Sequence, residues 1–182
     1  MERVLVMGVS SGAGKSTYAR HLGALTGLPV YHLDALFWKP GWNESTPEEF
    51  YWRQEEVVRQ DAWIIEGNYT SVGYDLRAAR ADTLIYLEVG LPLCIYRIYK
   101  RRITYRNQTR ADTGPDCPEK VDWPFLRFIL TTYHRRRRNM AARLQAFEAL
   151  GDQRQAIWLQ GPARIAQHLR QVKQDSPSLP VQ

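Results

Sequence analysis

A glycine-rich segment near the start of the chain carries residue types suited to binding phosphate. It reads GVSSGAGKST from Gly8 to Thr17, after an apolar run at residues 4–7 and before a helical pattern. The backbone N–H groups of such a turn curl around an anion, and the helix N-terminus adds the positive end of its dipole. Lys15 is expected to reach the β- and γ-phosphates of a nucleoside triphosphate, and the Ser16 hydroxyl to bind Mg²⁺. The predicted nucleotide-binding residues of this segment are Ser11, Gly12, Ala13, Gly14, Lys15, Ser16 and Thr17.

The spacing of the glycines departs from the phosphate-loop pattern at one position. The pattern G-x-x-x-x-G-K-[ST] is in register at Gly14 and Lys15, but its first glycine falls on Val9. Gly8 lies one residue too early. Either the loop is one residue longer than the pattern, or Val9 takes the place of the first glycine.

Two acidic residues follow predicted strands and are candidates for phosphoryl-transfer chemistry. Asp34 comes after the apolar residues 28–33, and Glu66 after residues 62–65. A carboxylate at Asp34 could accept the proton of an acceptor hydroxyl or hold that hydroxyl in place. Glu66 is a candidate carboxylate for Mg²⁺, directly or through a water. The alternatives are a local cap at Asp34 and an ordinary solvent-facing acid at Glu66.

Residues around these two acids are candidates for an acceptor pocket. Aromatic side chains between residues 37 and 42 could form its wall, with Tyr69 adding to it, although aromatic residues at such a position also serve as core. The predicted acceptor-binding residues are Asp34, Trp38, Glu66, Gly67, Asn68 and Tyr69.

Arginines flank a long segment of turn-forming residues between two predicted helices. The arginines that approach and enter this segment are Arg97, Arg101, Arg102, Arg106 and Arg110, and residues 135–138 are four arginines on the returning helix. Either run alone is typical of a solvated face. Together they suit a lid that closes arginines over phosphates. We therefore predict that Arg102 and Arg106 bind the nucleotide and that Arg110 acts in catalysis, while helical register would turn Arg137 inward.

The order of predicted elements indicates the fold class. Strands at residues 4–7, 28–33, 62–65, 83–87 and 156–159 alternate with helices, which predicts a parallel α/β sheet covered on both faces. Ligands of such sheets bind beyond the carboxyl ends of the strands. We predict one domain over residues 1–174, with a lid insertion at about residues 105–121 and a disordered tail at 175–182.

Composition narrows the class of protein further. The chain has 182 residues, a formal net charge of +6 and two cysteines. The charge fits an acidic partner, which could be a nucleotide, a nucleic acid or a membrane. The sequence lacks a secretory signal pattern and the ~20 apolar residues that span a bilayer, and two scattered cysteines favour free thiols in the cytosol. We therefore expect a cytoplasmic protein without membrane partners.

Several segments together resemble a known family. They are SGAGKST at residues 11–17, LPVYHLD at 28–34, FWKPGW at 37–42, IEGNY at 65–69, TRAD at 109–112 and CPEK at 117–120. The combination is similar to bacterial P-loop proteins called DNA topology modulation proteins. The resemblance implies an adenylate-kinase-like, three-layer P-loop NTPase fold with a five-stranded parallel sheet and a helical lid. By position it implies that Arg136 and Arg138 face the phosphates, which conflicts with the register argument for Arg137.

The sequence leaves three functional hypotheses. The first is an Mg²⁺- and ATP-dependent kinase that phosphorylates a small acceptor such as a nucleoside, a nucleotide, a sugar or another metabolite. The alternative is a nucleotide-gated protein that binds DNA through its basic lid. The third is an ATPase without an acceptor. The acceptor and the oligomeric state are not specified by the sequence.

Overall fold

A five-stranded parallel sheet forms the centre of the structure, a computed structural model that describes residues 1–175. The strands are β1 (Arg3–Gly8), β2 (Val30–His32), β3 (Trp38–Lys39), β4 (Asn43–Glu44), β5 (Trp63–Glu66), β6 (Thr83–Glu88) and β7 (Gln155–Gln160). The order in the main sheet is β2-β5-β1-β6-β7, with the first strand in the middle, and a separate hairpin pairs β3 with β4. The five strands predicted from apolar runs are confirmed as the strands of the main sheet.

Helices cover both faces of this sheet. They are α1 (Lys15–Thr26), α2 (Leu33–Phe37), α3 (Pro47–Val58), α4 (Tyr74–Arg80), α5 (Leu91–Thr104), α6 (Trp123–Arg138), α7 (Met140–Glu148) and α8 (Gly161–Asp175). On one face, Val4, Val6 and Ile85 pack with α1 and α8. On the other face, Leu5 and Tyr86 pack with α3, α4 and α7. The result is a three-layer α/β/α fold around a five-stranded parallel sheet, as predicted.

Local sequence signals fix several helix ends. Thr46 and Glu49 form a reciprocal capping box at the start of α3, and Pro47 occupies the first turn. The Asp122 side chain accepts a hydrogen bond from Phe125 N at the start of α6. These caps satisfy N–H groups that have no partner within the helix, so each helix begins where the sequence predicts.

Two elements differ from the sequence expectation. Asp34 does not end a strand, because β2 ends at His32 and Asp34 lies in the first turn of α2. The helix predicted beyond Asp122 is interrupted at Asn139, where α6 ends and α7 begins. Arg137 lies before this interruption, yet it is exposed and donates from Nε to Glu88 Oε1 at 2.8 Å instead of pointing inward.

Three further observations concern the ends and connections of the fold. Residues 105–121 connect α5 to α6 and contain short bridges between their own residues. Residues 176–182, most of the predicted tail, lie outside the described residues, whereas Asp175 is the last residue of α8. Within residues 1–175, no helix combines the length and apolar character needed to cross a bilayer.

Candidate active site

The loop between β1 and α1 has the backbone of a phosphate-binding turn. Gly12 and Gly14 adopt φ values of +78° and +95°, a left-handed conformation that favours glycine. A Cβ on Gly12 would collide with the carbonyl oxygen of Cys94 in the first turn of α5. The glycine-rich loop therefore packs directly against α5, and both glycines are required by the backbone.

The structure resolves the ambiguity between Gly8 and Val9. A Cβ on Gly8 would lie 3.0 Å from both Leu87 O and Lys15 Cγ. Val9 is fully buried, has no left-handed φ, and donates its N–H to Leu87 O at 2.9 Å. The need for glycine thus falls on Gly8, and the loop is one residue longer than the pattern.

Lys15, Ser16 and His32 surround the carboxylate of Glu66 at the carboxyl end of β5. Lys15 Nζ is 3.6 Å from Glu66 Oε1, and Ser16 Oγ donates to Glu66 Oε2 at 3.0 Å. His32 Nδ1 is 2.9 Å from the same Oε2. Glu66 is only 4% exposed; burial disfavours its charge, but the His32 hydrogen bond and the Lys15 charge outweigh this and hold its pKa below the usual range. Glu66 is therefore an ionised carboxylate beside the two residues expected to handle phosphate and Mg²⁺.

Asp34 lies close to this cluster with the opposite pKa shift. Burial, and next the negative charge of Glu66, raise the pKa of Asp34 above its usual range. The Tyr69 hydroxyl donates to Asp34 Oδ1 at 2.8 Å and fixes the orientation of the carboxylate. An oriented carboxyl group with a raised pKa has the properties of a proton acceptor in catalysis.

The segment between α5 and α6 brings charged residues to the same place. Arg110 Nη1 bonds to both carboxylate oxygens of Asp112 at 2.8 Å, and its Nε bonds to Glu119 Oε2 at 2.7 Å. Glu119 also accepts from Arg101 Nε at 2.8 Å. Arg110 is therefore held by two buried acids, one of which is shared with α5. Asp112 is buried, but the charge of Arg110 outweighs this burial and keeps the pKa of Asp112 low.

Arg97 belongs to the predicted set of flanking arginines, although the sequence assigned it no individual role. Its Nη1 lies 3.3 Å from Gly12 O and 3.2 Å from Ala13 O, across the top of the phosphate loop. Arg97 and Arg101 are four residues apart on α5 and therefore share one face. Because α5 packs directly against Gly12, this spacing places a row of basic residues above the loop.

These residues line a cleft of about 520 Å³, here called the phosphate-loop cleft. The predicted residues that border it are Ser11, Gly12, Ala13, Gly14, Lys15, Ser16, Thr17, Asp34, Glu66 and Arg110. Arg97, Lys100 and Arg101 border it from α5, Asp112 from the connecting segment, and Pro162 and Ile165 from the start of α8. A cleft of this size is within the range of small-ligand sites, roughly 300–1,000 Å³.

The predicted acceptor residues other than Asp34 and Glu66 do not line this cleft. Gly67 has φ of +149°, and a Cβ there would lie 2.7 Å from Leu33 Cβ, so its role is close packing. Asn68 bonds to the backbone of Gly8, and Trp38 packs between Phe37 and Trp42 with centroid distances of 4.9 and 5.2 Å. Tyr69 acts on the site only through its bond to Asp34.

Four predicted arginines also lie outside the phosphate-loop cleft. Arg102 is partly buried on α5 and Arg106 is exposed, and neither borders the cleft. Arg136 lines a second cavity with Gly8 and Asn68, and Arg138 lies on a third with Glu88 and Trp158. Arg136 and Arg138 belong to the last turn of α6, which borders these two cavities rather than the cleft.

The oxygen atoms around Ser16 fit a hard cation such as Mg²⁺. Among residues 1–175, no group of three or more His, Cys, Asp or Glu side chains is arranged to enclose a metal ion. Mg²⁺ is usually held by one or two protein oxygens together with substrate phosphates and waters. The Ser16 hydroxyl and the Glu66 carboxylate provide that kind of donor set.

Comparison with known proteins gives similarity of overall structure only. No family model and no curated protein matches the sequence. A sugar kinase from Janibacter sp. HTCC2649 is 18% identical, with a TM-score of 0.48 over 96% of this chain and 91% of that one. Shikimate kinase from Acinetobacter baumannii, in complex with shikimate, is 17% identical, with a TM-score of 0.47 over 98% of this chain and 97% of that one. The resemblance to DNA topology modulation proteins stays a prediction.

Proposed function

We propose that this protein is a kinase that transfers the γ-phosphate of ATP to a hydroxyl group of a small acceptor, with Mg²⁺. The observation that carries the proposal is the meeting of Lys15, Ser16, Asp34 and Glu66 in one cleft at the carboxyl ends of the strands. Phosphoryl transfer needs positioned phosphates, positive charge and an oriented acceptor more than it needs covalent chemistry from the protein. In the proposal, Lys15 supplies positive charge, Ser16 and Glu66 position the phosphates through Mg²⁺, and Asp34 orients the acceptor.

In the proposed reaction the acceptor oxygen attacks the γ-phosphorus. The new O–P bond forms as the bond between the γ-phosphorus and the β–γ bridging oxygen breaks, and ADP leaves with that electron pair. The acceptor proton passes to Asp34, whose raised pKa makes it a better base than an ordinary aspartate. Lys15, beside Glu66, stabilises the negative charge that gathers on the transferred group.

Ser16 and Glu66 would hold Mg²⁺, which neutralises phosphate charge when it is bound. Their hydrogen bond at 3.0 Å keeps both oxygens on the same side of the cleft. Asp112 lies close enough to Ser16 to influence the same position. Glu66 is already ionised because of His32 and Lys15, so cation binding would release no proton from it.

Arg97 and Arg110 supply positive charge above the phosphate loop. Arg97 already contacts two carbonyl oxygens of the loop. Arg110 uses Nε and Nη1 for its two acids, and within residues 1–175 its Nη2 has no protein acceptor. A guanidinium has five N–H donors in a fixed plane, so Arg110 can keep its ion pairs and still donate to a phosphate.

The four arginines 135–138 do not form one surface. Arg135 and Arg136 border the second cavity, Arg137 pairs with Glu88, and Arg138 borders the third cavity. Binding to a nucleic-acid backbone would favour a continuous row of such residues. No observation therefore favours the DNA-binding alternative, and we do not propose it.

Release of ADP tests the proposal. The purified protein is incubated with Mg²⁺-ATP and a panel of nucleosides, nucleotides, sugars and hydroxy acids, and ADP is measured by a coupled assay. We expect one acceptor class to raise ADP release and to gain a phosphate by mass. Lys15→Ala should remove this activity, whereas Lys173→Ala, an exposed lysine on α8, should keep it.

Two results would contradict the proposal. Full activity in Lys15→Ala would exclude the phosphate loop as the site of transfer. ADP release that no acceptor increases would indicate an ATPase instead.

A further inference from the structure

A second cavity lies next to the phosphate loop, on the sheet face that α7 covers. Its volume is about 230 Å³. Gly8 and Asn68 form one wall, Tyr86 of β6 lies at its base, and Arg135, Arg136 and Arg143 border it from α6 and α7. We call it the arginine cavity. The proposed kinase chemistry uses none of its side chains.

The positive charge of the arginine cavity is not neutralised by the protein. No Asp or Glu lines it, and among residues 1–175 none of its three arginines forms an ion pair. Glu88 is the acid that most affects Tyr86, and its two oxygens already bond to Arg137 Nε and Trp158 Nε1. Like charges gathered without a counter-ion are unfavourable, so this arrangement favours an anionic ligand.

Aromatic rings hold two of these guanidinium groups in place. Arg136 lies 5.0 Å from the centroid of the Phe128 ring, and Arg143 lies 5.3 Å from that of Tyr74. Stacking of this kind leaves the N–H groups at the guanidinium edge free for an acceptor. The interruption at Asn139 matters here, because it allows arginines on either side of it to border one cavity.

The Tyr86 hydroxyl gives independent evidence for a ligand. The residue is only 1% exposed, and its hydroxyl has no hydrogen-bond partner in the protein. Burial, and next the charge of Glu88, raise the pKa of the Tyr86 phenol, so it remains an O–H donor at neutral pH. Buried hydroxyl groups almost always find a partner, and leaving one without a partner is destabilising. A ligand oxygen in the cavity would supply that partner.

We propose that the arginine cavity binds a small oxyanion, a phosphate or carboxylate group, held by Arg136, Arg143 and Arg135 with Tyr86 donating from below. The cavity is below the size of most drug-sized ligand sites, roughly 300–1,000 Å³, so it suits one anionic group and few further atoms. Its evidence lies in residues outside the phosphate-loop cleft. The proposal therefore stands or falls independently of the proposed kinase activity.

Titration with inorganic phosphate tests this site directly. The protein is first saturated with Mg²⁺ and a non-hydrolysable ATP analogue, so that the phosphate loop does not take the probe, and phosphate binding is measured by calorimetry. We expect one saturable site. Arg136→Gln should weaken it at least tenfold, whereas Arg127→Gln, an exposed arginine of α6 away from the cavity, should not change it.

Tyr86→Phe separates ligand binding from a purely structural role. Without phosphate, this variant should melt at the same or a higher temperature, because it removes a buried hydroxyl that lacks a partner. Its phosphate affinity should nevertheless fall severalfold. No saturable phosphate binding by the wild-type protein, or equal loss in Arg127→Gln, would overturn the proposal. So would unchanged affinity in both Arg136→Gln and Tyr86→Phe.

The same variants distinguish two sources of the anion. If the anion is part of the phosphate acceptor, Arg136→Gln raises the acceptor KM in the ADP-release assay by at least tenfold. If it is a free anion, phosphate affinity falls while the acceptor KM stays within twofold. Both results support an anion site in the arginine cavity. The calorimetric titration decides whether that site exists even if no acceptor is found.

Discussion

Asn68 bonds to both backbone groups of Gly8. Asn68 Oδ1 accepts from Gly8 N at 2.9 Å, and Asn68 Nδ2 donates to Gly8 O at 2.7 Å. This pair of bonds joins the chain beyond β5 to the end of β1, where the aliphatic part of Lys15 crosses Gly8. Asn68, predicted to bind the acceptor, thus supports the strand end from which the phosphate loop begins.

We expect Asn68→Ala to destabilise the protein by about 1–3 kcal/mol, because it leaves two partly buried backbone groups of Gly8 without partners. Thermal unfolding measures this as a lower melting temperature. Asn68→Asp should not rescue stability, since it keeps the acceptor for Gly8 N but turns a second carboxylate oxygen towards Gly8 O, where the amide donated. Gln145→Ala, at an exposed position of α7, is the control and should change stability by less than about 0.5 kcal/mol. Equal melting temperatures for Asn68→Ala and the control would show that the two bonds contribute nothing.

Asp34→Asn should lower kcat by about 10²–10⁴-fold while increasing stability at neutral pH. The pKa of Asp34 is raised in the folded protein, so the folded state holds this proton more tightly than the unfolded chain does. The stabilisation that comes from the protonated Asp34 carboxyl group is complete below the ordinary aspartate pKa, about 3.9. It is lost as the pH rises through the raised pKa of Asp34 in the folded protein. At pH 7 the wild-type protein therefore holds an unfavourable charge that asparagine removes, while the amide oxygen still accepts from Tyr69.

Melting temperatures of the wild-type protein and Asp34→Asn, measured from pH 7 downward, test whether the pKa of Asp34 is raised in the folded protein. The stability advantage of Asp34→Asn should shrink as pH approaches the ordinary aspartate value. A variant that is less stable than wild type at pH 7 would contradict the raised pKa. Activity that is independent of Asp34 would remove it as the proton acceptor.

The main sheet was predictable because each strand is a short apolar run bounded by turn residues or charges. Trp63–Glu66 and Thr83–Glu88 are buried along their whole length, which is typical of a central parallel strand. The helix Leu33–Phe37 and the two-residue strands after it were not predicted, because elements this short are too brief to show a periodic pattern of hydrophobic residues. Asp34 was identified, but its place in a helix rather than at a strand end was not.

The site was predictable where residues are close in sequence to a strand end and less so elsewhere. Lys15, Asp34 and Glu66 meet because parallel strands bring their carboxyl ends to one edge. Asp112 reaches the same cleft through long-range packing, which one sequence does not encode in any local pattern. Arg136 was placed at the phosphates by the family resemblance alone, and in the structure it borders the second cavity instead.

Gly8→Ala and Val9→Ala should have different effects on the phosphate loop. The new Cβ at position 8 would press on Leu87 O and on the Lys15 side chain, so overpacking of about 1–3 kcal/mol is expected together with weaker nucleotide binding. Val9→Ala removes buried apolar atoms and should cost roughly 2 kcal/mol without moving Lys15. Melting temperature and titration with Mg²⁺-ADP measure the two effects. Weaker nucleotide binding in Val9→Ala alone would assign the first-glycine role to position 9.

Glu119→Gln should loosen residues 105–121, because Glu119 is the buried acid that joins Arg101 of α5 to Arg110. Removing its charge leaves Arg101 partly buried without an ion pair, beside the like charge of Arg110. Breaking a buried pair in this way typically costs about 3–5 kcal/mol, and we expect the loss to appear first as faster tryptic cleavage within this segment.

Glu55→Gln breaks an exposed pair with Arg59 and should cost only about 0.3–0.5 kcal/mol, with unchanged cleavage. Saturating Mg²⁺-ATP analogue should slow the cleavage of Glu119→Gln, since phosphates would replace the lost carboxylate beside Arg110. Equal cleavage of wild type and Glu119→Gln would show that other contacts hold the segment closed.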